Sequence, residues 1–508
     1  MKSSRTSKYL AGLFTGYTVT LATLAVGFWL TPFTLRFLDR EEFGIFSLAV
    51  DLLIWLTFLD LGITAALKVQ AAQLTGCPHE ERLSRLASTA FFTQLVVIGS
   101  VALLGALFIY LFPSFFQVRP ELQKETQQVI ALMILGTALT LFTQTFSGIL
   151  VAHQQIHIDN LIRLISLAVR TTITVILLLN GWKMLSLAVA SVAANTIIAG
   201  LAVMRVKFTL PWVTIRYRLA SWQTFGSLFS LGVWFSIGGV AGILIESFDR
   251  VVAGRLVSLE SVTTLTLTGR VYMWALMLLG QITDTARPAL GQLMGQGKYK
   301  ETLTNYRHLV ALTAGGAIMV SASLWSCNGF FVPWWVGGQN YGGTLLDLAM
   351  AANLIVHAWI LPNRATLASG LIVKPQTICR VIEGCLNLLL AIILGMYFGL
   401  LGIVVSTAIA GILTSAWFLP FLTLRLFKQQ FRTLFQPEAF RILLFFFFSF
   451  FVSYEVRFLG LSLSGIRAAF ITGLATFLIS GLLLYFLIFS RELKSKLREN
   501  ILSLMPRQ

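Results

Sequence analysis

The sequence predicts an all-α polytopic membrane protein of about fourteen transmembrane helices, built as two pseudo-symmetric six-helix lobes plus a C-terminal helix pair. Three observations predict this class. Of the 508 residues, 56% are hydrophobic and only 12% charged, roughly half the charged share of an ordinary soluble domain. Apolar runs long enough to cross a bilayer recur from end to end. Lys and Arg collect in every second connecting segment, the bias that orients helices in a membrane.

The first helix, about 9–35, follows the basic start MKSSRTSKYLAGLF. Its apolar stretch continues without a small-residue cleavage site, so it reads as a retained helix and not a signal peptide. The second, about 43–67, opens after the charged cluster Asp39-Arg40-Glu41-Glu42 and carries Asp51 and Asp60 inside its apolar run. Further first-lobe spans fall near 89–112, 127–150, 163–180 and 184–204. The second lobe has spans near 223–247, 262–284, 306–327, 343–362, 375–395 and 400–424, and the final pair lies near 439–459 and 466–489.

With the N-terminus in the cytoplasm, the basic groups Lys68, Arg82 and Arg85, then Arg205, Lys207, Arg216 and Arg218, all fall inside. So do Arg287, Lys298, Lys300 and Arg307, then Arg364, Lys374 and Arg380, and finally Arg425, Lys428, Arg432 and Arg441. The outer connections are short and balanced by acids, as Arg119 and Lys124 are by Glu121 and Glu125. Both termini are therefore expected in the cytoplasm. The net charge of +17 is spread over alternate loops and not gathered in one patch, which argues against nucleic acid as a partner. Cys77, Cys327, Cys379 and Cys385 show no framework spacing and read as free thiols.

The chain also resembles itself. LRFLDREEFGIFSLAVDLLIW from Leu35 lies over GRLVSLESVTTLTLTGRVYMW from Gly254, pairing Asp51 with Arg270 and Trp55 with Trp274. NLIRLISLAVRTTITVILL from Asn160 lies over TICRVIEGCLNLLLAIILG from Thr377, pairing Arg163 with Arg380. The near-equal offsets divide the chain into residues 1–222, residues 223–424, and a remainder, 425–508, holding the last helix pair and a basic tail. An even number of helices per unit makes the repeats parallel, the arrangement of alternating-access transporters. The tail, SRELKSKLRENILSLMPRQ, reads as a basic amphipathic segment on the inner leaflet.

LTPFTLRFLDREEFGIFSLAVDLLIWLTFLDLGITAALKV resembles the opening of Wzx-type polysaccharide-biosynthesis flippases, within the multidrug/oligosaccharidyl-lipid/polysaccharide (MOP) exporter superfamily. The residues that carry the resemblance are Leu30-Thr31-Pro32, Glu42-Phe43-Gly44 and Leu59-Asp60-Leu61-Gly62. FDRVVAGRLVSLESV, RPALGQLMGQGKYKETLTNYRHL and GLLGIVVSTAIAGIL agree with later segments of that family. The resemblance implies a transporter, not an enzyme, in a bacterial plasma (inner) membrane. It would turn undecaprenyl-diphosphate-linked oligosaccharide from the inner to the outer leaflet for O-antigen, capsule or exopolysaccharide. Polysaccharide polymerase and assembly proteins are its implied partners.

The embedded charges are the candidate site. Asp51 lies about 12 Å into its helix, near mid-bilayer, and Arg270 lies at the matching depth of the second lobe. Together they are either the polar floor of a substrate cavity or a structural ion pair, and intramembrane charges default to function. Arg163 and Arg170, seven residues apart, share a helix face and could track a diphosphate, because guanidinium binds phosphate oxygens bidentately. Arg163 near the helix end could equally snorkel to the interface. Arg380 matches Arg163 as a headgroup-entry candidate, with Glu383 one turn on as a local salt-bridge partner. Asn387 stands where Arg170 does. Glu246 and Asp249 end a helix beside Arg250 and, with Asp51, are the ion-coupling candidates; an outer-surface salt bridge is the alternative. Trp55 and Trp274 could stack on sugar faces or simply pack.

Other signals lead nowhere. HQQIH lacks the Glu of a zinc-protease motif, and GQLMGQGKY has the wrong glycine spacing for a phosphate loop, so no metal and no cofactor are expected. Energy would come from an ion gradient or from consumption of the product. The longest hydrophilic loops, about twenty residues, carry no paired carboxylates for catalysis. The remaining alternative, a drug/cation antiporter of the same superfamily, favours an acidic cavity, which Arg170 and Arg270 oppose.

Overall fold

The computed structural model describes residues 5–74, 80–153, 155–370, 372–430, 437–460 and 465–489, and among them the chain is helical with no strand. It forms two compact units, residues 1–243 with 258–263, and residues 244–257 with 264–508. Cys77, the side chain of Glu246 and the basic tail from 490 on lie outside the described residues.

The first unit holds α1 (Arg5–Thr34), α2 (Arg40–Thr57), α3 (Ile63–Leu74), α4 (Glu80–Phe115), α5 (Pro120–Ala152), α6 (Ile156–Leu179), α7 (Lys183–Thr209) and most of α8 (Trp222–Glu246). The charged cluster before α2 is a capping box. Asp39 Oδ1 accepts from the Glu42 backbone N–H at 2.7 Å, and Glu42 Oε2 accepts from the Asp39 N–H at 2.8 Å. Lys183 Nζ donates to Glu42 at 2.9 Å, and Arg119 pairs with both Asp39 and Glu41. One acidic turn therefore ties together the starts of α2, α5 and α7. Burial alone would raise the Asp39 carboxyl, but the Glu42 N–H and the Arg119 guanidinium outweigh it and hold it below its ordinary value.

The second span is not one straight helix. After α2 the chain makes a 3-10 turn at Phe58–Asp60, and Leu61 and Gly62 take φ of 51° and 70° before α3 begins. A Cβ on Gly62 would overlap the backbone carbonyl of Gly232 in α8, and a Cβ on Gly232 would lie 2.6 Å from the Leu61 oxygen. The glycine of Leu-Asp-Leu-Gly is thus required twice, by the left-handed backbone and by the crossing of α8. Below the break, Asp60 Oδ2 accepts from the Thr64 N–H at 3.2 Å and Oδ1 accepts from Gln94 of α4. Gln94 also donates to Thr64 Oγ1 at 2.9 Å, which in turn donates to Gln144 of α5 at 2.9 Å. Asp60 is a tie between helices.

The second unit holds α9 (Phe248–Leu256), α10 (Leu259–Gly295) from Thr264 onward, α11 (Tyr299–Val336), α12 (Thr344–Ser369), α13 (Val373–Leu413), α14 (Ser415–Leu426), α15 (Pro437–Gly460) and α16 (Gly465–Leu487). α11 packs against α12, α15 and α16. Its buried Thr313-Ala314-Gly315-Gly316-Ala317 run lets helices approach closely, the usual basis of packing where lipid removes the hydrophobic drive. Hydroxyls complete the contacts: Ser453 donates to the Ala322 carbonyl at 2.7 Å, and Thr476 to Ser326 at 3.1 Å. The C-terminal pair α15–α16 is therefore docked on α11.

Thirteen helical stretches among the described residues are long and apolar enough to cross a bilayer. One of them, Val373–Leu426, runs for 54 residues, where about 20 suffice. It is a hairpin. Gly399 turns the chain at φ 58° and ψ −138°, and Ser406 Oγ donates to Asn387 Oδ1 at 2.9 Å, although nineteen residues of straight helix would part them by about 28 Å. Counted as two, this stretch brings the crossings to the fourteen expected.

Candidate functional site

Within the second unit, α9, α10, α12 and the second arm of the α13 hairpin enclose a cavity of about 240 Å³. Its charged lining is Arg250, Arg270, Arg364 and Asp249, with His357 beside them. Among side chains buried in a bilayer, where each charge costs several kcal/mol, three cations against one anion is a pronounced bias.

Two of these charges, Asp249 and Arg364, are held from behind. Asp249 Oδ2 accepts from Thr407 Oγ1 at 2.7 Å and Oδ1 from Asn387 Nδ2 at 3.3 Å, so α9 is tied to both arms of the hairpin. Arg364 Nη2 lies 3.7 Å from Glu383 Oε2, which also accepts from Ser415 Oγ. Tyr272 in the cavity wall donates to Asp347 Oδ1 at 2.8 Å, Asn328 donates to the same oxygen at 2.7 Å, and Tyr341 reaches Oδ2 at 3.1 Å. Arg457 of α15 closes this cluster, donating to Thr344 Oγ1 at 3.0 Å and to the Trp325 carbonyl at 2.9 Å. Burial, and the Asp347 carboxylate beside it, push the Tyr341 hydroxyl up to about 12, so it serves as a donor.

The structure brings together some of the candidates and separates others. Arg270 and Asp249 share the cavity wall. Asn387 is fully buried behind that wall, holding Asp249. Trp274 packs edge-on against Trp335, ring centroids 6.0 Å apart, and is not part of the lining. Arg380 is half-buried on α13.

In the first unit, Asp51 is buried at 5% exposure and Trp55 half-buried on α2. Arg163 Nε donates to Asp159 Oδ2 at 2.9 Å, and Ser147 donates to the other oxygen. Arg163 is thus already matched to a carboxylate, while Arg170, two turns on, lies on an exposed face of α6.

Sequence reading missed Arg364, His357, Asp347 and Asp159 as site residues. Arg364 falls just past the predicted span 343–362, in a cytoplasmic connection. The helix instead runs through Pro362 to Ser369, as membrane helices tolerate when neighbours satisfy the freed carbonyl. Glu383 is also approached by Arg364, from another helix. Asp159 precedes the predicted span start at 163, but α6 begins at Ile156 and includes it.

A family model for polysaccharide biosynthesis proteins matches residues 9–294, more than half of the chain. The chain belongs to this family. A family relative, the uncharacterized membrane protein EpsK of Bacillus subtilis (strain 168), is 22% identical over 425 residues, which cover 81% of this chain and 82% of that one. Among solved structures, an inward-facing multidrug resistance MATE family transporter of the MOP superfamily superposes with a TM-score of 0.69 at 15% identity, over 81% of this chain and 96% of its own. The lipid II flippase MurJ in an inward closed conformation gives 0.66 at 13% identity, over 94% and 99%. These likenesses show a shared fold. The protein is a multi-pass membrane protein of the polysaccharide biosynthesis family with the fold of MOP-type transporters.

Proposed function

We propose that the protein turns undecaprenyl-diphosphate-linked oligosaccharide from the inner to the outer leaflet of a bacterial plasma membrane, by alternating access, for O-antigen, capsule or exopolysaccharide assembly. The observation that carries the reading is the cationic lining of the second-unit cavity, Arg250, Arg270 and Arg364 against Asp249. Guanidinium forks match phosphate oxygens bidentately. A drug-sized ligand needs about 300–1,000 Å³, so a cavity of about 240 Å³ suits the diphosphate and leaves lipid and most of the glycan outside it.

In this reading Arg270, with Arg250 and Arg364, holds the diphosphate in the second-unit cavity, and Arg170 and Asp51 are separate substrate candidates within the first unit. Of the ion-coupling candidates Asp51, Glu246 and Asp249, Asp249 has the best setting. Its carboxylate and the Thr407 hydroxyl are oxygen ligands of the kind hard cations prefer, and the Asn387 amide N–H fixes the carboxylate from behind. Both termini lie in the cytoplasm, and polymerase and assembly proteins take the product. Arg270→Ala and Arg170→Ala are expected to abolish glycan export while the protein still inserts at wild-type levels. Full export by both single variants would remove the arginines from the mechanism.

A further inference from the structure

Arg364 and Glu383 are paired in an unusual way. Their closest approach, 3.7 Å, is an ion pair without a hydrogen bond. The Arg364 Nε and Nη2 atoms and the Glu383 Oε1 atom are buried and have no hydrogen-bond partner among the described residues. Glu383 is completely buried, and Arg364 is only 14% exposed while lining the cavity. A guanidinium has five donors in a fixed fork, so this one holds unused donors on a side chain that lines a cavity whose other arginines favour anions. Across the pair, Ser415 donates to the same Glu383 oxygen that faces Arg364. The carboxylate therefore keeps one strong partner when the guanidinium moves away.

We propose that Arg364 is a shared cation, handed between Glu383 in the empty cavity and the phosphate oxygens of a bound substrate, with Glu383 as the built-in competitor that weakens the loaded state. The proposal rests on the diphosphate reading of the cavity and adds a specific device to it. A carrier must release what it binds, and three arginines converging on a diphosphate would otherwise hold it too tightly. Glu383 supplies the return force: when Arg364 leaves, a fully buried carboxylate loses its counter-charge, so the anion is bound against that opposing cost. Selectivity follows too. A diphosphate offers enough oxygens to engage Arg270 and recruit Arg364, whereas a neutral or cationic solute cannot draw Arg364 from its acid.

The test uses the full-length protein in lipid nanodiscs, with inorganic pyrophosphate as the probe and calorimetric titration as the readout. Wild type is expected to bind pyrophosphate, and Arg270→Ala and Arg364→Ala to weaken it. Glu383→Gln keeps the acceptor for Ser415 but removes the competing charge, and is expected to tighten binding roughly tenfold, a coupling of ordinary size. Adding Arg364→Ala to Glu383→Gln should erase that gain. Ser415→Ala makes Glu383 lean harder on Arg364 and should weaken binding, giving a second arm of opposite sign if Glu383→Gln does not fold. Unchanged or weaker binding in Glu383→Gln, or tighter binding in Ser415→Ala, overturns the hand-over. If Arg270→Ala still weakens binding in that case, the anion cavity itself stands. Absence of pyrophosphate binding by wild type overturns both.

Discussion

The break between α2 and α3 makes a quantitative prediction, because two separate demands fall on Gly62. Its φ of 70° costs a side-chain-bearing residue about 1–2 kcal/mol. A Cβ there would also overlap the Gly232 carbonyl, and overpacking costs about 1–3 kcal/mol. Gly62→Ala should therefore destabilise by about 2–5 kcal/mol. Three other glycines separate the two causes. Gly181 has φ of 79° with no atom within 4 Å of its Cβ position, so Gly181→Ala carries only the backbone term. Gly232 has ordinary helical backbone but meets Leu61 and Gly62, so Gly232→Ala carries only the clash, offset by about 1 kcal/mol of helix propensity. Gly226, six residues earlier on α8, has open space, and Gly226→Ala should be neutral or slightly stabilising. Thermal unfolding of detergent-purified protein, followed by tryptophan fluorescence, reads these as Tm shifts of about 2–4 °C per kcal/mol. Gly62→Ala is expected to show the largest fall. A fall no greater than that of Gly181→Ala would mean that α8 does not press on the break, and the reasoning would fail.

Two further predictions concern the first unit. Gln94→Leu removes the donor that Gln94 gives both Asp60 and Thr64, leaving a buried carboxylate short of one partner. It should cost about 1–3 kcal/mol, and Asp60→Asn combined with it should cost less than the sum of the two, read by the same Tm assay. The acidic turn at Asp39 gives a pH dependence. Its carboxyl is held below the ordinary value of 3.8, so its contribution is fully present above that value and is lost as pH falls through the lower folded one. Tm should show no Asp39-dependent change between pH 7 and pH 5, fall below about pH 4, and fall less steeply in Asp39→Asn; an equal acid fall in that variant would assign the loss to other groups.

Much of the fold was legible because a bilayer leaves few options. Hydropathy alone placed the last pair at 439–459 and 466–489, against Pro437–Gly460 and Gly465–Leu487 in the structure. It also placed a boundary between 395 and 400, where Gly399 turns the hairpin. What hydropathy misjudged was proline. Pro113, Pro333 and Pro362 all lie inside helices that continue past the expected ends, and the last of these carries Arg364 within it.

Of the cavity lining, Arg270 was legible because its charge stands alone in an apolar run, and Asp249 because it ends a helix beside Arg250. Asp347 and Asp159 sit within a turn or so of helix starts, where a carboxylate needs no special explanation. Their burial comes from partners distant in sequence: Asn328 and Tyr272 for one, Ser147 on the preceding helix for the other. That Arg364 reaches Glu383 could not be read from spacing, since packing delivers it from another helix. Asp60 shows the opposite case. It was singled out as an acid inside an apolar run, and its bonds to Thr64 and Gln94 make it a tie between helices.

The most direct measurement of the central claim is transport by the purified protein in proteoliposomes, with undecaprenyl-diphosphate-linked oligosaccharide in one set and a cationic dye in another. The account predicts movement of the lipid-linked glycan between leaflets, lost in Arg270→Ala, and no movement of the dye. Dye transport without glycan movement would contradict it and make the protein a cation antiporter.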